Sequence, residues 1–420
     1  MTVPTISGIT AYSVPPRWVM VRITTDTGVT GWGEALLSKR RRAVLGAVAD
    51  LADTVVGAPA GRIEELWHRM RRGAFFRGGP VLATAAAAIE QALWDIKGRT
   101  LGVPVHELLG GPVRDRTRVY ACIGGDRPDD VVAGARARVA QGFTAVKMNA
   151  TAELDHIAGA AEVDAVVARV AALREEFGTG LDIALDFHGR VHRSMVRPLL
   201  RELEQFRLLW VEEPLSPGHE DLLPEVARAA GATRIATGER LTSRWDFRSL
   251  LQRGGVDIIQ PDVSVTGLGE LAKICHLAET YDVAVVPHCP NGPVSLAASL
   301  QVAAVCLNVP LHEQGLGLHY NTGYEGLPRG EMADYLLDSA PLVPVDGAPS
   351  RCRPGRASVS RSTRRPCAPR TPSGGTPMRD GATPTGGSRS GDGPLTPGPA
   401  QLSPERARQP PSTHHLYDTL

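Results

Sequence analysis

The sequence lacks several features that would mark a secreted, membrane-bound or nucleic-acid-binding protein. Its six cysteines (122, 275, 289, 306, 352 and 367) are scattered, with no CxxC and no paired spacing. That speaks against a disulfide framework or a zinc site, and leaves a reducing cytoplasm as the expected compartment. Charge of one sign is missing too. With 46 basic and 45 acidic residues the net charge is +1, so nothing global points to nucleic acid or a membrane surface. No apolar run approaches the roughly 20 residues that a membrane span needs. Met1-Thr2-Val3-Pro4 has no basic-then-apolar signal pattern. The 420 residues are enough for two domains.

What is present is a periodic series of polar residues. Each closes an apolar or β-branched run: Asp186-Phe187-His188, Glu212-Glu213-Pro214, Gly238-Glu239-Arg240, Pro261-Asp262, Pro287-His288-Cys289-Pro290 and His312-Glu313. Successive members lie about 25 residues apart, close to the length of one strand, one helix and two loops. In a (β/α) barrel such strand ends converge on one mouth, where active sites sit. Ahead of them, Val119–Ile123 and Ala145–Asn149 read as two further strands, which completes eight. The intervals between strands read as helices, Ala160–Phe177 among them. Strand-helix alternation implies a parallel sheet, and eight strands imply its closure.

The first part of the chain has another pattern. Residues 5–34 read as a three-strand meander turned at Asp26-Thr27-Gly28, followed by helices over 41–56, 63–72 and 82–97. An α+β domain over 1–115 is expected, then a barrel over 116–330, a return segment over 331–347 and a tail over 348–420. The tail is rich in Pro, Gly, Ser, Thr and Arg, cannot build a core, and is expected to be disordered. Two loops of the first domain, Pro15-Pro16-Arg17-Trp18 and Phe75-Phe76-Arg77-Gly78-Gly79-Pro80, pair an aromatic with an arginine. Arg17, Trp18 and Arg77 therefore suit an anionic or polyol ligand; as ordinary surface loops they would need none.

Three carboxylates on successive strand ends, Asp186, Glu212 and Glu239, repel one another unless a cation holds them, and an all-oxygen set favours Mg²⁺. Asp262 and His288 come from adjacent strands, and a carboxylate beside imidazole makes it a better base. In a strand, residues two apart share a face, which would project His188 together with Asp186, and Lys147 together with Asn149. Lys147 offers a fixed positive charge for a carboxylate, and Glu313 either a stabiliser of an oxyanion if protonated or an orienting group; a plain barrel salt bridge accounts for either residue equally well.

These segments resemble the mandelate racemase-like branch of the enolase superfamily, and within it the D-galactonate dehydratases. The resemblance rests on Gly31-Trp32-Gly33-Glu34, Phe76-Arg77-Gly78-Gly79-Pro80, residues 91–98, Gly124-Gly125-Asp126-Arg127-Pro128, Lys147-Met148-Asn149 and the strand-end motifs, and runs from about residue 3 to about 346. It implies a (β/α)₇β TIM-like barrel beneath an α+β capping domain, with Asp186, Glu212 and Glu239 as Mg²⁺ ligands. It also implies that His288 takes the C2 proton of a sugar acid with Asp262 behind it, that His188 protonates the leaving 3-hydroxyl, and that Glu313 stabilises the enediolate. Many relatives carry Lys-x-Lys on the second barrel strand; Asn149 stands here in place of the last Lys, which favours dehydration over two-base racemisation. The implied product is a 2-keto-3-deoxy acid, and a homo-oligomer is expected, since relatives often form symmetric octamers. A dehydratase for another aldonic acid, an inactive remnant and a binding protein with a basic tail are the competing readings.

The chain departs from the resemblance at its C-terminal end. Permitted codons for residues 355–364, read in another frame, can spell Gly-Leu-Gly-Val-Glu-Val-Asp-Glu, an ending of the kind that relatives carry. A frameshift near residue 347, real or from sequencing, is therefore the expectation, and translating the neighbouring frames of the gene tests it.

Overall fold

A computed structural model describes residues 4–151, 154–315, 342 and 351–352. The chain opens with an antiparallel sheet of β1 (Ile6–Val14), β2 (Trp18–Thr25) and β3 (Thr30–Ala35), in the order β1-β2-β3. Four helices follow: α1 (Arg41–Val55), α2 (Ile63–Arg72), α3 (Pro80–Leu101) and α4 (Val105–Leu108). α3 begins two residues before its apolar periodicity does, because Pro80 at the first helical position has φ already set for a helix and no N–H to leave unpaired. Its alanine-rich face lies against β3. A side chain at Gly31 or Gly33 would collide with the carbonyl oxygens of Ala92 and Ala88, so both positions need glycine for the strand to lie this close to the helix.

Strands and helices then alternate. They are β4 (Thr117–Ile123), α5 (Pro128–Ala140), β5 (Ala145–Asn149), α6 (Ala160–Phe177), β6 (Asp182–Asp186), α7 (Arg193–Leu203), β7 (Trp210–Glu212), α8 (Leu223–Ala229) and β8 (Ile235–Thr237). After them come α9 (Arg244–Arg253), β9 (Ile258–Ile259), α10 (Val263–Thr266), α11 (Leu268–Glu279), β10 (Ala284–Val285), α12 (Pro293–Val305) and β11 (His312–Gln314). The parallel strands run β10-β9-β8-β7-β6-β5-β4-β11, an eight-stranded curl. At its seam the Glu313 N–H donates to the Pro287 carbonyl at 3.3 Å. This is the TIM-like barrel that the strand spacing implies, with the α+β domain that the resemblance assigns as its cap.

The two larger of its apolar cores support it. One joins the barrel strands to their helices through Leu185, Val211, Ile259 and Leu271; the other fills the cap between its sheet and α1, α2 and α3. The expectations for 331–347 and 348–420 lie outside the described residues, apart from three positions. Leu342 is buried, and its carbonyl accepts from Gln314 at 2.9 Å. Arg351–Cys352 (β12) pairs antiparallel with Arg118 and Thr117 of β4, so the stretch read as disordered contains at least this ordered pairing. No described helix is long and apolar enough to cross a membrane.

Candidate active site

The barrel puts the carboxylates of three strand ends together. Asp186 closes β6, Glu212 closes β7, and Glu239 lies just past β8. One oxygen from each lies within 4.8 Å of the others. All three are largely or fully buried, and Asp186 Oδ2 and Glu239 Oε2 accept no well-aligned hydrogen bond among the described residues, though nitrogens of Lys147, His188 and His288 lie at 3.3–3.4 Å from them. Burial, the largest influence, pushes both Asp186 and Glu212 above the usual carboxylate range. Buried carboxylate oxygens gathered this closely, two of them without an aligned hydrogen bond, form a site that a divalent cation with oxygen ligands would satisfy.

Lys147 enters this cluster from β5. Its Nζ lies 2.6 Å from Glu212 Oε1, 3.4 Å from Asp186 Oδ2 and 3.5 Å from Glu313 Oε1. Burial opposes its charge, but the surrounding carboxylates outweigh burial and hold it firmly protonated. The other oxygen of Glu212 accepts from the Trp210 indole at 3.0 Å.

Two imidazoles border the cluster. His288 follows β10, with Nδ1 2.8 Å from Asp262 Oδ2 and Nε2 3.4 Å from Glu239 Oε2. Burial disfavours its charge; the negative charges of Glu239 and Glu313 and the bond to Asp262 overcome it and raise the ring to about 10. Asp262 is the N-cap of α10. Its other oxygen accepts from the Ser264 N–H at 2.7 Å and from Asn291 Nδ2 at 2.8 Å.

His188 reaches the cluster by another route than strand alternation. β6 ends at Asp186, and His188 takes a left-handed conformation with φ 51°. Its N–H donates to Asp186 Oδ1 at 2.7 Å, which curls the turn back so that Nε2 lies 3.3 Å from Asp186 Oδ2. The expected shared strand face is corrected to a shared turn. Partial burial, the largest influence, lowers this ring to about 4, so it rests neutral while His288 rests charged.

Glu313 on β11 accepts from the Cys122 thiol at 3.1 Å and from the Cys289 N–H at 2.7 Å. Burial would raise it, but Lys147 and His288 prevail and hold it down at about 2. As placed it is an anion. Stabilising an oxyanion by donating a proton needs the neutral acid, so the arrangement matches the ion-pair alternative for this residue.

The candidate substrate contacts divide. Asn149 is exposed at the end of β5, in register with Asp186. Arg17 donates to the Pro290 carbonyl at 2.6 Å, beside the His288 loop. Trp18 is corrected from ligand contact to core: its side chain is fully buried with Val14, Met20 and Leu296 between cap and barrel, and presents no surface to a ligand. Arg77 stays in its exposed loop, donating to Ala74 O at 3.1 Å, and no described contact joins it to the cluster. Sequence reasoning gave no role to Asn291, Cys122 or the buried carboxylates Glu34 and Glu90. Asn291 stands three residues beyond His288, a spacing that offered a signal, and Glu34 closes the Gly31-Trp32-Gly33-Glu34 motif; Cys122 and Glu90 had none.

Comparison with known proteins agrees with this geometry. The profile "Mandelate racemase / muconate lactonizing enzyme, N-terminal domain" matches residues 6–110, and "Enolase C-terminal domain-like" matches residues 130–355. The D-galactonate dehydratase of Ralstonia pickettii is 48% identical over 338 residues, 80% of this chain and 86% of that protein. The D-galactonate dehydratase of Pectobacterium atrosepticum is 45% identical over 343 residues, 81% of this chain and 88% of that protein. Among solved structures, a mandelate racemase/muconate lactonizing enzyme-like protein from Rubrobacter xylanophilus superposes with a TM-score of 0.75 at 29% identity, covering 84% of this chain and 94% of its own. The chain therefore belongs to the mandelate racemase and muconate lactonizing enzyme group of the enolase superfamily, in the branch that holds these dehydratases.

Proposed function

We propose that the protein is a Mg²⁺-dependent sugar-acid dehydratase that converts D-galactonate to its 2-keto-3-deoxy acid. The observation that carries this reading is the pair of unlike imidazoles beside one carboxylate cluster, His288 at 3.4 Å from Glu239 and His188 at 3.3 Å from Asp186. One imidazole beside each of two carboxylates of the same cluster would bring two proton-transfer groups within reach of one bound substrate.

Asp186, Glu212 and Glu239 would hold the cation. When bound, it supplies positive charge against the negative charge that builds on the substrate carboxylate as the C2 proton leaves. Asp262 holds the Nδ1 proton of His288, which leaves Nε2 to accept the C2 proton. Apart from burial, Glu239 is the strongest influence on His288; once Glu239 is committed as a ligand, the ring falls toward the neutral form that a base needs. His188, which rests neutral, would first take up a proton from solvent and then deliver it to the 3-hydroxyl. That group departs as water, and the enol left behind tautomerises to the 2-keto-3-deoxy acid. Lys147 keeps a fixed cation beside the substrate carboxylate, and Arg17 and Asn149 are candidates for the polyol contacts.

The test is keto-acid formation from a panel of aldonic acids with Mg²⁺, with wild type and His288→Asn in parallel. Wild type should turn over D-galactonate, and the variant should form no keto acid and exchange no C2 hydrogen with solvent deuterium. Turnover of a different aldonic acid alone would move the substrate assignment. No product from any of them would overturn the reading.

A further inference from the structure

Glu34 is the last but one residue of β3 in the capping sheet, and its side chain is completely buried. Its partners lie in the barrel. Oε1 accepts from the Gly292 N–H at 2.6 Å; Oε2 accepts from the Val294 and Ser295 N–H groups at 3.0 and 3.1 Å. Those donors are the N-cap and first turn of α12, where Pro293 has no N–H to offer. A carboxylate of the cap thus satisfies the start of the helix that follows His288.

The segment between is held at each step. The Cys289 N–H goes to Glu313, the Pro290 carbonyl accepts from Arg17, and the Asn291 amide donates to the same Asp262 that binds His288. The backbone of Glu34 is itself fixed: its N–H donates to Gln91 Oε1, and Gln91 Nε2 donates both to the Glu34 carbonyl and to the carbonyl of Val263, next to Asp262. Both members of the Asp262–His288 pair are therefore tied to one cap residue, over the segments 292–295 and 263.

This is a costly way to cap a helix. A serine or asparagine at position 292 would do it locally, whereas a buried carboxylate carries a large desolvation penalty. A Cβ at Gly292 would lie 2.6 and 2.7 Å from the two Glu34 oxygens, so the position is held open for that carboxylate. A local rule broken beside catalytic groups is where positioning is to be expected.

We propose that Glu34 is a positioning residue for the base: through the first turn of α12 and through Gln91, it sets the distance and angle at which His288 meets Asp262. The proposal rests on the reading of His288 as the base. It makes the docked cap part of the alignment of the proton-transfer pair, in addition to any enclosure it gives.

Three variants test it with Mg²⁺-loaded full-length protein: Glu34→Gln, which keeps shape and loses charge; Glu34→Asp, which keeps charge and shortens the reach; and Gly292→Ala, which presses on the carboxylate from the barrel side. Each should lower kcat for C2 exchange and dehydration by about a hundredfold, the scale of a misplacement near 1 Å, while KM stays within about twofold, as expected when only transition-state interactions are lost. The low-field proton resonance of the His288 Nδ1–H, assigned by its loss in His288→Asn, should shift or broaden in each. Combining Glu34→Gln with Asp262→Asn should cost little more than Asp262→Asn alone. A kcat that follows only the folded fraction, or an unmoved resonance with additive losses, would overturn the proposal. Should one variant fail to fold, the other two decide. If wild type makes no keto acid, the functional reading falls by itself, and the resonance still reports whether Glu34 holds the pair.

Discussion

Lys147 donates to Glu212 across 2.6 Å, from inside the group of carboxylates that would hold a cation. Asp186 and Glu313 stand at 3.4 and 3.5 Å from the same ammonium. Lysine is thus a countercharge within the cluster and, by electrostatics, would compete with an ion bound there. Lys147→Met should destabilise the Mg²⁺-free protein by about 3–5 kcal/mol, because it leaves buried charge unpaired. The gain in melting temperature on adding saturating Mg²⁺ should then exceed that of wild type. Thermal unfolding with chelator and with Mg²⁺ reads both. An equal gain in the two proteins would mean that lysine and ion do not share these oxygens.

The two histidines should separate the two halves of the reaction. His188 lies next to Asp186, whereas His288 lies next to Asp262 and Glu239. His188→Asn should leave solvent exchange at C2 near the wild-type rate and cut dehydration by about 10²–10⁴, the usual worth of a general acid. Proton NMR of the acid in deuterated buffer follows exchange, and the keto-acid assay follows loss of water. Exchange and dehydration falling together would mean that His188 also serves the first step.

The carboxylate cluster and the Asp262–His288 contact were legible in the sequence because a barrel converts chain period into spatial neighbourhood. One polar residue per strand end, about 25 apart, is enough to bring Asp186, Glu212 and Glu239 within 4.8 Å. Details below the period were not legible. Alternation predicts that His188 shares a strand face with Asp186, whereas a left-handed residue after β6 turns it back. Trp18 looks like a loop aromatic because its neighbours are Pro15, Pro16 and Arg17, yet it begins β2 and is covered by the barrel. Cross-domain partners such as Glu34 and Gly292 are separated by most of the chain and share no period. Their motifs mark the family without saying that the glutamate of Gly-Trp-Gly-Glu caps a barrel helix.

Asp262 should matter through the tautomer it imposes. Its Oδ2 faces His288 Nδ1 at 2.8 Å, while Oδ1 is taken up by Ser264 and Asn291. In Asp262→Asn the oxygen of the amide is favoured on the Ser264 and Asn291 side, which turns the amide NH₂ toward Nδ1. The ring would then carry its proton on Nε2 and could not accept one there. C2 exchange and dehydration should fall together by about 10²–10⁴, with Mg²⁺ affinity close to that of wild type. Isothermal titration with Mg²⁺ beside the exchange assay makes the comparison. Full exchange in Asp262→Asn would place the base elsewhere.

Glu90 yields a prediction about pH and stability. It sits on α3, 1% exposed, and accepts from the N–H groups of Leu268 and Gly269 at the start of α11 and from the Trp94 indole. Burial raises it to about 7 against those donors, from 4.5. Between these values the folded state keeps a proton that the unfolded chain has lost. The stability tied to this group is therefore full below about 4.5 and is lost as pH rises to about 7, an effect on the order of 3 kcal/mol. Other carboxylates titrate nearby, so the quantity to measure is the difference in unfolding free energy between wild type and Glu90→Gln, at about pH 5 and about pH 7.5. Wild type should lose ground to the variant as pH rises. A difference that stays constant would mean that the three donors hold Glu90 ionised throughout, and that the desolvation of this carboxylate is fully offset by the helix it caps.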